Sequence, residues 1–351
     1  MRKHRVFLVM NGKNGATYII NASDRNSITE SLKFYRALSL RSKILKVGLM
    51  ISLMLKSRIF STKFETAEEV QQFLQNLSSS KIKFGIDENC SVLVSPTRSK
   101  IIVNHHGNYF EKFAFGDSYI QVRNEANIYK LFSGQYNNFQ VSNFYDLTNS
   151  FDEICSFKLS NVNVDVAGGP TFSLVNSLSE FFNITENTKI TVEKYIEDLV
   201  QRLNFSELQN LSLQDEELES IKQKYKTKKF PVGLVHRDFK PWNIIEYPKI
   251  LIFDFEEAIT NGPPMEDLLN FYLDPIIRYQ STKMVAEYLQ SEELVNYQNA
   301  YLEKLNISID SKVFIHFYLT ERMLFWWNAG ENQTSKAYLK LSDYLLESRQ
   351  L

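Results

Sequence analysis

His236-Arg237-Asp238-Phe239-Lys240-Pro241-Trp242-Asn243 is followed, eleven residues after the Asn, by Asp254 within the apolar run Ile250-Leu251-Ile252-Phe253-Asp254-Phe255. Residues 232–235 read as a short buried strand that delivers His236, and 243–245 with 249–253 read as a following hairpin. Each polar residue then stands at the end of an apolar strand or in the loop between two, where a rigid scaffold can hold it. Phosphoryl transfer from a nucleoside triphosphate asks for such a set. A carboxylate must orient the attacking hydroxyl and finally accept its proton, a task for Asp238, and hard oxygen ligands must hold Mg²⁺ against the phosphates. Asn243 and Asp254 supply one amide oxygen and one carboxylate, which leaves the ion room for water and phosphate oxygens.

The pattern His-x-Asp-x-x-x-x-Asn followed by an apolar-Asp-aromatic strand resembles the aminoglycoside phosphotransferase and choline kinase family, within the protein-kinase-like superfamily. The resemblance implies an α+β, two-lobed protein-kinase-like fold, with a small antiparallel-sheet N-lobe and a larger, mostly helical C-lobe. It implies ATP as donor, Asp238 as catalytic base, and Asn243 and Asp254 as Mg²⁺ ligands. Lys240 matches the Lys of serine/threonine protein kinases, where it steadies the transferring phosphoryl group; read without the resemblance it is a solvated loop lysine. Arg237 also matches protein kinases, whereas the small-molecule branch often has Gly there. His236 reads as a buried, hydrogen-bonded brace, and Phe239 and Trp242 as packing anchors.

A kinase-type site also needs a Lys for the α- and β-phosphates, held by a carboxylate on a helix. Residues 90–95 and 100–104 are β-rich runs around the turn Pro96-Thr97-Arg98-Ser99, and 108–115 make a third strand carrying Lys112. Glu125 follows in 119–132, a stretch with near-helical apolar spacing. By resemblance Lys112 binds phosphate and Glu125 is its ion-pair partner, although Glu111 is also near and a strand lysine facing solvent is the plain alternative. The loop at 96–99 has no glycine, so the Gly-rich phosphate cover of protein kinases is absent, leaving backbone N–H groups and the hydroxyls of Ser95, Thr97 and Ser99 to face the nucleotide. Asp254 is followed by Phe255-Glu256 instead of Phe-Gly, and no Ala-Pro-Glu closes an activation segment. These departures favour a small-molecule or saccharide acceptor over a protein.

A chain of 351 residues with 44% hydrophobic content accommodates an N-terminal extension (1–85), a kinase-like N-lobe (86–160) and a C-lobe (161–351). The 40 basic residues balance 41 acidic ones, so no basic field points to nucleic acid. Two cysteines, Cys90 and Cys155, suggest neither a disulfide framework nor a zinc site, and a reducing, cytoplasmic setting is the default. Within the extension, 5–10 and 17–20 read as a hairpin. Residues 32–58 are strongly apolar and basic, with no carboxylate between Glu30 and Glu65, and their apolar segment 47–55 is far short of the ~20 residues that span a bilayer. Such a segment fits either an anionic inner-membrane surface or a helix packed on the kinase core with a solvated basic side. Asp267 opens a helix after Gly262-Pro263-Pro264 and either braces the catalytic loop, as a family Asp does, or answers the helix dipole. Trp326-Trp327 either line an acceptor pocket or pack in the core. Rival readings of the whole chain are a serine/threonine-type protein kinase and a nucleotide-binding scaffold without turnover.

Overall fold

The computed structural model describes residues 7–11, 16–32, 40–54, 62–79, 82–95, 99–106, 108–149, 155–160, 172–185, 188–204, 212–247 and 249–348. Thr97, residues 12–15 and the parts 33–39 and 55–60 of the basic segment lie outside them. The chain divides into two compact units, Met1–Lys130 with Val141–Val166, and Leu131–Gln140 with Ala167–Leu351.

The first unit runs β1 (Phe7–Asn11), β2 (Thr17–Asn21), α1 (Arg25–Ser31), α2 (Leu40–Met54), β3 (Thr62–Phe64), α3 (Ala67–Ser78), β4 (Cys90–Ser95), β5 (Lys100–His105), β6 (Tyr109–Ala114) and α4 (Tyr119–Tyr129). After β7 (Phe139–Val141), at the boundary between the units, it closes with β8 (Phe144–Asn149) and β9 (Cys155–Ser160). Its strands form one sheet in the order β3-β1-β2-β4-β5-β6-β9-β8, antiparallel at each pairing. The pairing of β2 with β4 carries the N-terminal hairpin into the same sheet as the three strands expected of a kinase N-lobe. Because strand side chains alternate between faces, one sequence feeds two cores. Phe7, Val9, Ile19, Val92 and Val103 pack with Val70 and Leu74 of α3. Leu8, Ile20 and Ala22 pack with Ile28 of α1 and Leu53 of α2.

The second unit contains α5 (Phe172–Phe182), β10 (Lys189–Thr191), α6 (Val192–Asn204), α7 (Ser212–Tyr225), β11 (Lys229–Pro231), β12 (Gly233–Val235), β13 (Ile244–Tyr247), β14 (Lys249–Ile252), β15 (Ile259–Gly262), α8 (Glu266–Leu273), α9 (Thr282–Leu289), α10 (Glu292–Lys304), α11 (Ser311–Asn328) and α12 (Asn332–Glu347). Its strands are short: β10 pairs with β11, β12 with β15, and β13 with β14. Helix α11 is buried all round from Val313 to Leu324, as expected of a helix at the centre of a helical core. An antiparallel-sheet unit followed by a larger, mostly helical one, with an extra N-terminal segment, is the protein-kinase-like plan.

Candidate active site

In the first unit, Lys112 on β6 donates from Nζ to Oε2 of Glu125 on α4 at 2.6 Å. Glu125 is 1% exposed, and a carboxylate at that depth needs a cationic partner to stay charged. Glu111 points to the other face of the strand, where it accepts from Ser156 Oγ (3.3 Å) and approaches His105 (3.7 Å). Of the two acids near Lys112 in sequence, it is Glu125 that forms the ion pair. Ser95 ends β4 half-buried. Ser99 holds a left-handed φ of 47°, and its carbonyl accepts the Phe115 N–H at 3.1 Å.

In the second unit, β12 enters the loop under tight steric control. A Cβ at Gly233 would collide with the Phe182 backbone and ring, and one at Gly262 with the side chain of Val235, so β12 and β15 approach α5 and each other only as glycines allow. His236 is fully buried, and burial holds its imidazole below the usual range. Its Nδ1 accepts the Asp238 N–H (3.3 Å), so Nε2 carries the proton donated to the Phe253 carbonyl (2.8 Å). One ring thereby ties the loop to the strand that bears Asp254.

Arg237 occupies the left-handed region with φ 62°, a conformation that costs a bulky residue about 1–2 kcal/mol. Four hydrogen bonds bracket that strain. The N–H groups of His236 and Arg237 donate to the two oxygens of Asp267 (2.7 and 2.9 Å), and the Arg237 carbonyl accepts from Asn270 Nδ2 (2.9 Å) and Arg322 Nη1 (2.8 Å). Asp267 is therefore a brace of the 236–243 loop. Burial pushes its carboxyl up to about 7 against the pull of those backbone donors. The Arg237 guanidinium donates to Glu266 (3.2 Å), whose carboxyl burial also raises.

Asp238 sits between two donors. Asn243 Nδ2 donates to its Oδ2 at 2.7 Å and to its carbonyl at 2.8 Å, and Lys240 Nζ lies 2.5 Å from Oδ1. Since the Asn243 nitrogen makes these bonds, a cation would be met by the amide oxygen. The β13–β14 register pairs Ile244 with Ile252, which sets Asn243 and the Phe253-Asp254 step at the same end of the hairpin. Asp254 also has a positive φ, 69°, and is anchored by Phe255, fully buried and stacked on Phe181 at 5.9 Å between centroids.

Lys240 is no solvated loop lysine. It is 7% exposed and shared between Asp238 and Asp274, whose Oδ2 is 3.1 Å away. Burial opposes ionisation of Asp274, but Lys240 and Arg322 outweigh it and hold the carboxyl below its usual range. Asp274 Oδ1 further receives Arg322 Nη2 (3.3 Å) and Tyr338 OH (3.0 Å). Trp326 lies over Lys240 (5.2 Å), Arg278 (4.6 Å) and Arg322 (5.2 Å), so its ring packs against the cations around the loop. Asp274, Asn270, Arg322 and Tyr338 were not singled out in the sequence. The available signal was Glu321-Arg322 in the midst of the apolar stretch 313–327, since charges at such positions must find buried partners.

Residues 180–302 match the phosphotransferase enzyme family, a span that holds the loop, Asp254, Asp267 and Asp274. A distant but consistent assignment to the superfamily of aminoglycoside phosphotransferases and protein kinases follows from that match and the fold. Comparison with curated proteins gave no match. Among solved structures the chain is similar to a thermostable mutant aminoglycoside phosphotransferase in ternary complex with AMP-PNP and hygromycin B, at 12% identity and TM-score 0.49, with 80% of this chain and 99% of that one covered. It is also similar to a candidate aminoglycoside phosphotransferase from Ralstonia eutropha (13% identity, TM-score 0.44, 70% and 89% covered) and to a candidate fructosamine-3-kinase from Haemophilus somnus (14%, 0.44, 80% and 96%).

Proposed function

We propose that the protein is an ATP- and Mg²⁺-dependent phosphotransferase acting on a hydroxyl of a small molecule or glycan. The observation that carries this reading is the arrangement around Asp238: a carboxylate a quarter exposed, held by Asn243 and Lys240, in a loop that His236 ties to the strand of Asp254. Asn243 and Asp254 offer the hard oxygen donors that Mg²⁺ takes, and an ion held there would neutralise phosphate charge. Asp238 orients the acceptor hydroxyl and takes its proton as the acceptor oxygen bonds to the γ-phosphorus. The bond from that phosphorus to the β-bridging oxygen breaks, and ADP leaves with the electron pair. Lys240 stabilises charge on the transferring group, and Lys112, held by Glu125, takes the α- and β-phosphates; Ser95, Thr97 and Ser99 are assigned the adjoining nucleotide contacts.

A screen of candidate alcohols for ATP- and Mg²⁺-dependent phosphate incorporation tests the reading, with Asp254→Ala as blank. Incorporation by wild type alone supports it. Tight Mg·ATP binding with no transfer to any acceptor would leave a nucleotide-binding scaffold, and label carried to a protein would favour the serine/threonine-type kinase that Arg237 and Lys240 resemble.

We further propose that α2 rests on an anionic membrane surface, which directs the acceptor toward cell-envelope saccharides and places the protein peripherally on the cytoplasmic face. Leu53 faces the core, whereas Ile44, Val47, Ile51 and Met54, at helical spacing, form an exposed apolar stripe in a segment free of carboxylates. No described helix is long and apolar enough to cross a membrane. Equal flotation of the purified protein with anionic and neutral liposomes would remove this placement.

A further inference from the structure

Cys90 and His105 are paired residues of β4 and β5, a position at which side chains on one face meet. Just before β4, Asp87 is folded back onto the same spot. The Cys90 N–H donates to the Asp87 carbonyl (3.4 Å) and the Asn89 N–H to Asp87 Oδ1 (2.7 Å). Cys90 Sγ consequently stands 3.0 Å from Asp87 Oδ1 and 3.3 Å from His105 Nδ1. The three candidate ligand atoms lie within 4.8 Å of one another, Cys90 and His105 buried and Asp87 exposed.

We propose that Asp87, Cys90 and His105 bind a thiophilic divalent cation, with zinc the best chemical fit, and leave a fourth position open to water. Tetrahedral bonds of about 2.3 Å to sulfur and about 2.0–2.2 Å to nitrogen and oxygen put the ligand atoms roughly 3.3–3.6 Å apart. The two separations from sulfur, 3.0 and 3.3 Å, reach that after the sulfur yields a few tenths of an ångström, and the third pair lies within 4.8 Å. Mixed sulfur, imidazole and carboxylate donors suit zinc and exclude the all-oxygen shell of Mg²⁺ or Ca²⁺.

The surroundings supply what such a ligand set needs. Among the described residues buried His105 Nε2 makes no hydrogen bond, and the Glu111 carboxylate faces it from 3.7 Å. A carboxylate behind a metal-bound imidazole fixes the ring and raises its basicity. The ring is also stacked on Tyr109 at 4.2 Å, and the Asp87 N–H points at Cys90 Sγ from 3.5 Å. Burial, then the hydrogen bond to Asp87, pushes the metal-free thiol up, so a cation must displace its proton. None of the three residues has a part in the phosphoryl-transfer reading, and the two stand or fall separately. A bound ion would pin the segment before β4 to the sheet.

Full-length protein, stripped with a chelator and titrated with Co²⁺, tests the site. The expected result is one equivalent bound with a thiolate-to-metal charge-transfer band, displaced by Zn²⁺. The band should vanish in Cys90→Ala and His105→Gln, and Glu111→Gln should weaken affinity about 10- to 100-fold. Asp87→Asn keeps the turn acceptor on an exposed residue, so it tests the site even where the buried variants misfold, and it too should weaken binding. Absence of the band in wild type, its survival in Cys90→Ala, or wild-type affinity in Asp87→Asn would reduce the cluster to a hydrogen-bonded corner of the sheet.

Discussion

Two buried lysines of this chain, Lys112 and Lys240, are held in opposite ways. Lys112 meets Glu125 from the helix that directly follows its strand, a partner reached through one local strand–turn–helix step. Lys240 is gripped from both sides, by Asp238 in its own loop and by Asp274 at the far end of α8, with Trp326 of α11 over it. A lysine set by local structure is placed as soon as its neighbouring elements form. A lysine shared between a loop and two helices is placed only when the helical core closes, and its position then reports on the whole unit.

The largest effects should come from the reacting groups themselves. Asp238→Asn is expected to lower turnover by about 10²–10⁴-fold while thermal melting stays within a few degrees of wild type. Near-normal turnover on a genuine acceptor would remove Asp238 as the base. Methionine at either lysine sharpens the contrast between them. Lys112→Met should raise the KM for ATP, whereas Lys240→Met should lower kcat with that KM little changed. Lys112→Met should be the more destabilised, at about 3–5 kcal/mol, because it takes the ion-pair partner from a carboxylate at 1% exposure; after Lys240→Met, Asp274 keeps Arg322 and Tyr338 and Asp238 keeps Asn243. Identical kinetic signatures would erase the distinction.

A smaller effect concerns the brace. Burial pushes the Asp267 carboxyl up to about 7 in the folded chain, from an ordinary 3.8. The folded state therefore holds the extra proton between those values. The contribution is fully present below about pH 4 and lost as pH rises through about 7, a few kcal/mol at most. Asp267→Asn should flatten the melting temperature across that window, and an unchanged slope would mean that another group carries it. Smallest of all, Trp326→Leu should cost roughly 0.5–2 kcal/mol through lost cation–π contact, read as a lower melting temperature with no change in KM for ATP.

How much of this was legible in the sequence depended on how far apart the interacting residues lie along the chain. The strand at Cys90–Ser95, the helix carrying Glu125 and the hairpin between Asn243 and Asp254 follow from period, turn residues and apolar runs. Other features have no local signature. Nothing in the neighbourhood of Asp274 marks it as the second partner of Lys240, and the left-handed backbone at Arg237 breaks the rule that bulky residues avoid positive φ. The continuation of the sheet through β1, β2 and β3 was equally hidden, because alternating residues buried on both faces give no hint of which strand will be the neighbour.

The sequence by itself determined the local strands, turns and helices, because short-range rules of periodicity and loop chemistry act before any tertiary contact forms, and the protein-kinase-like plan was what the resemblance of its 236–254 motif implied. Only the tertiary structure decided how the loop is held: which oxygens take the backbone of His236 and Arg237, which acid shares Lys240, and that Cys90, His105 and Asp87 meet. Those outcomes depend on distances between elements remote in the chain, where burial makes every unpaired donor or charge costly and so selects the one arrangement that satisfies them together.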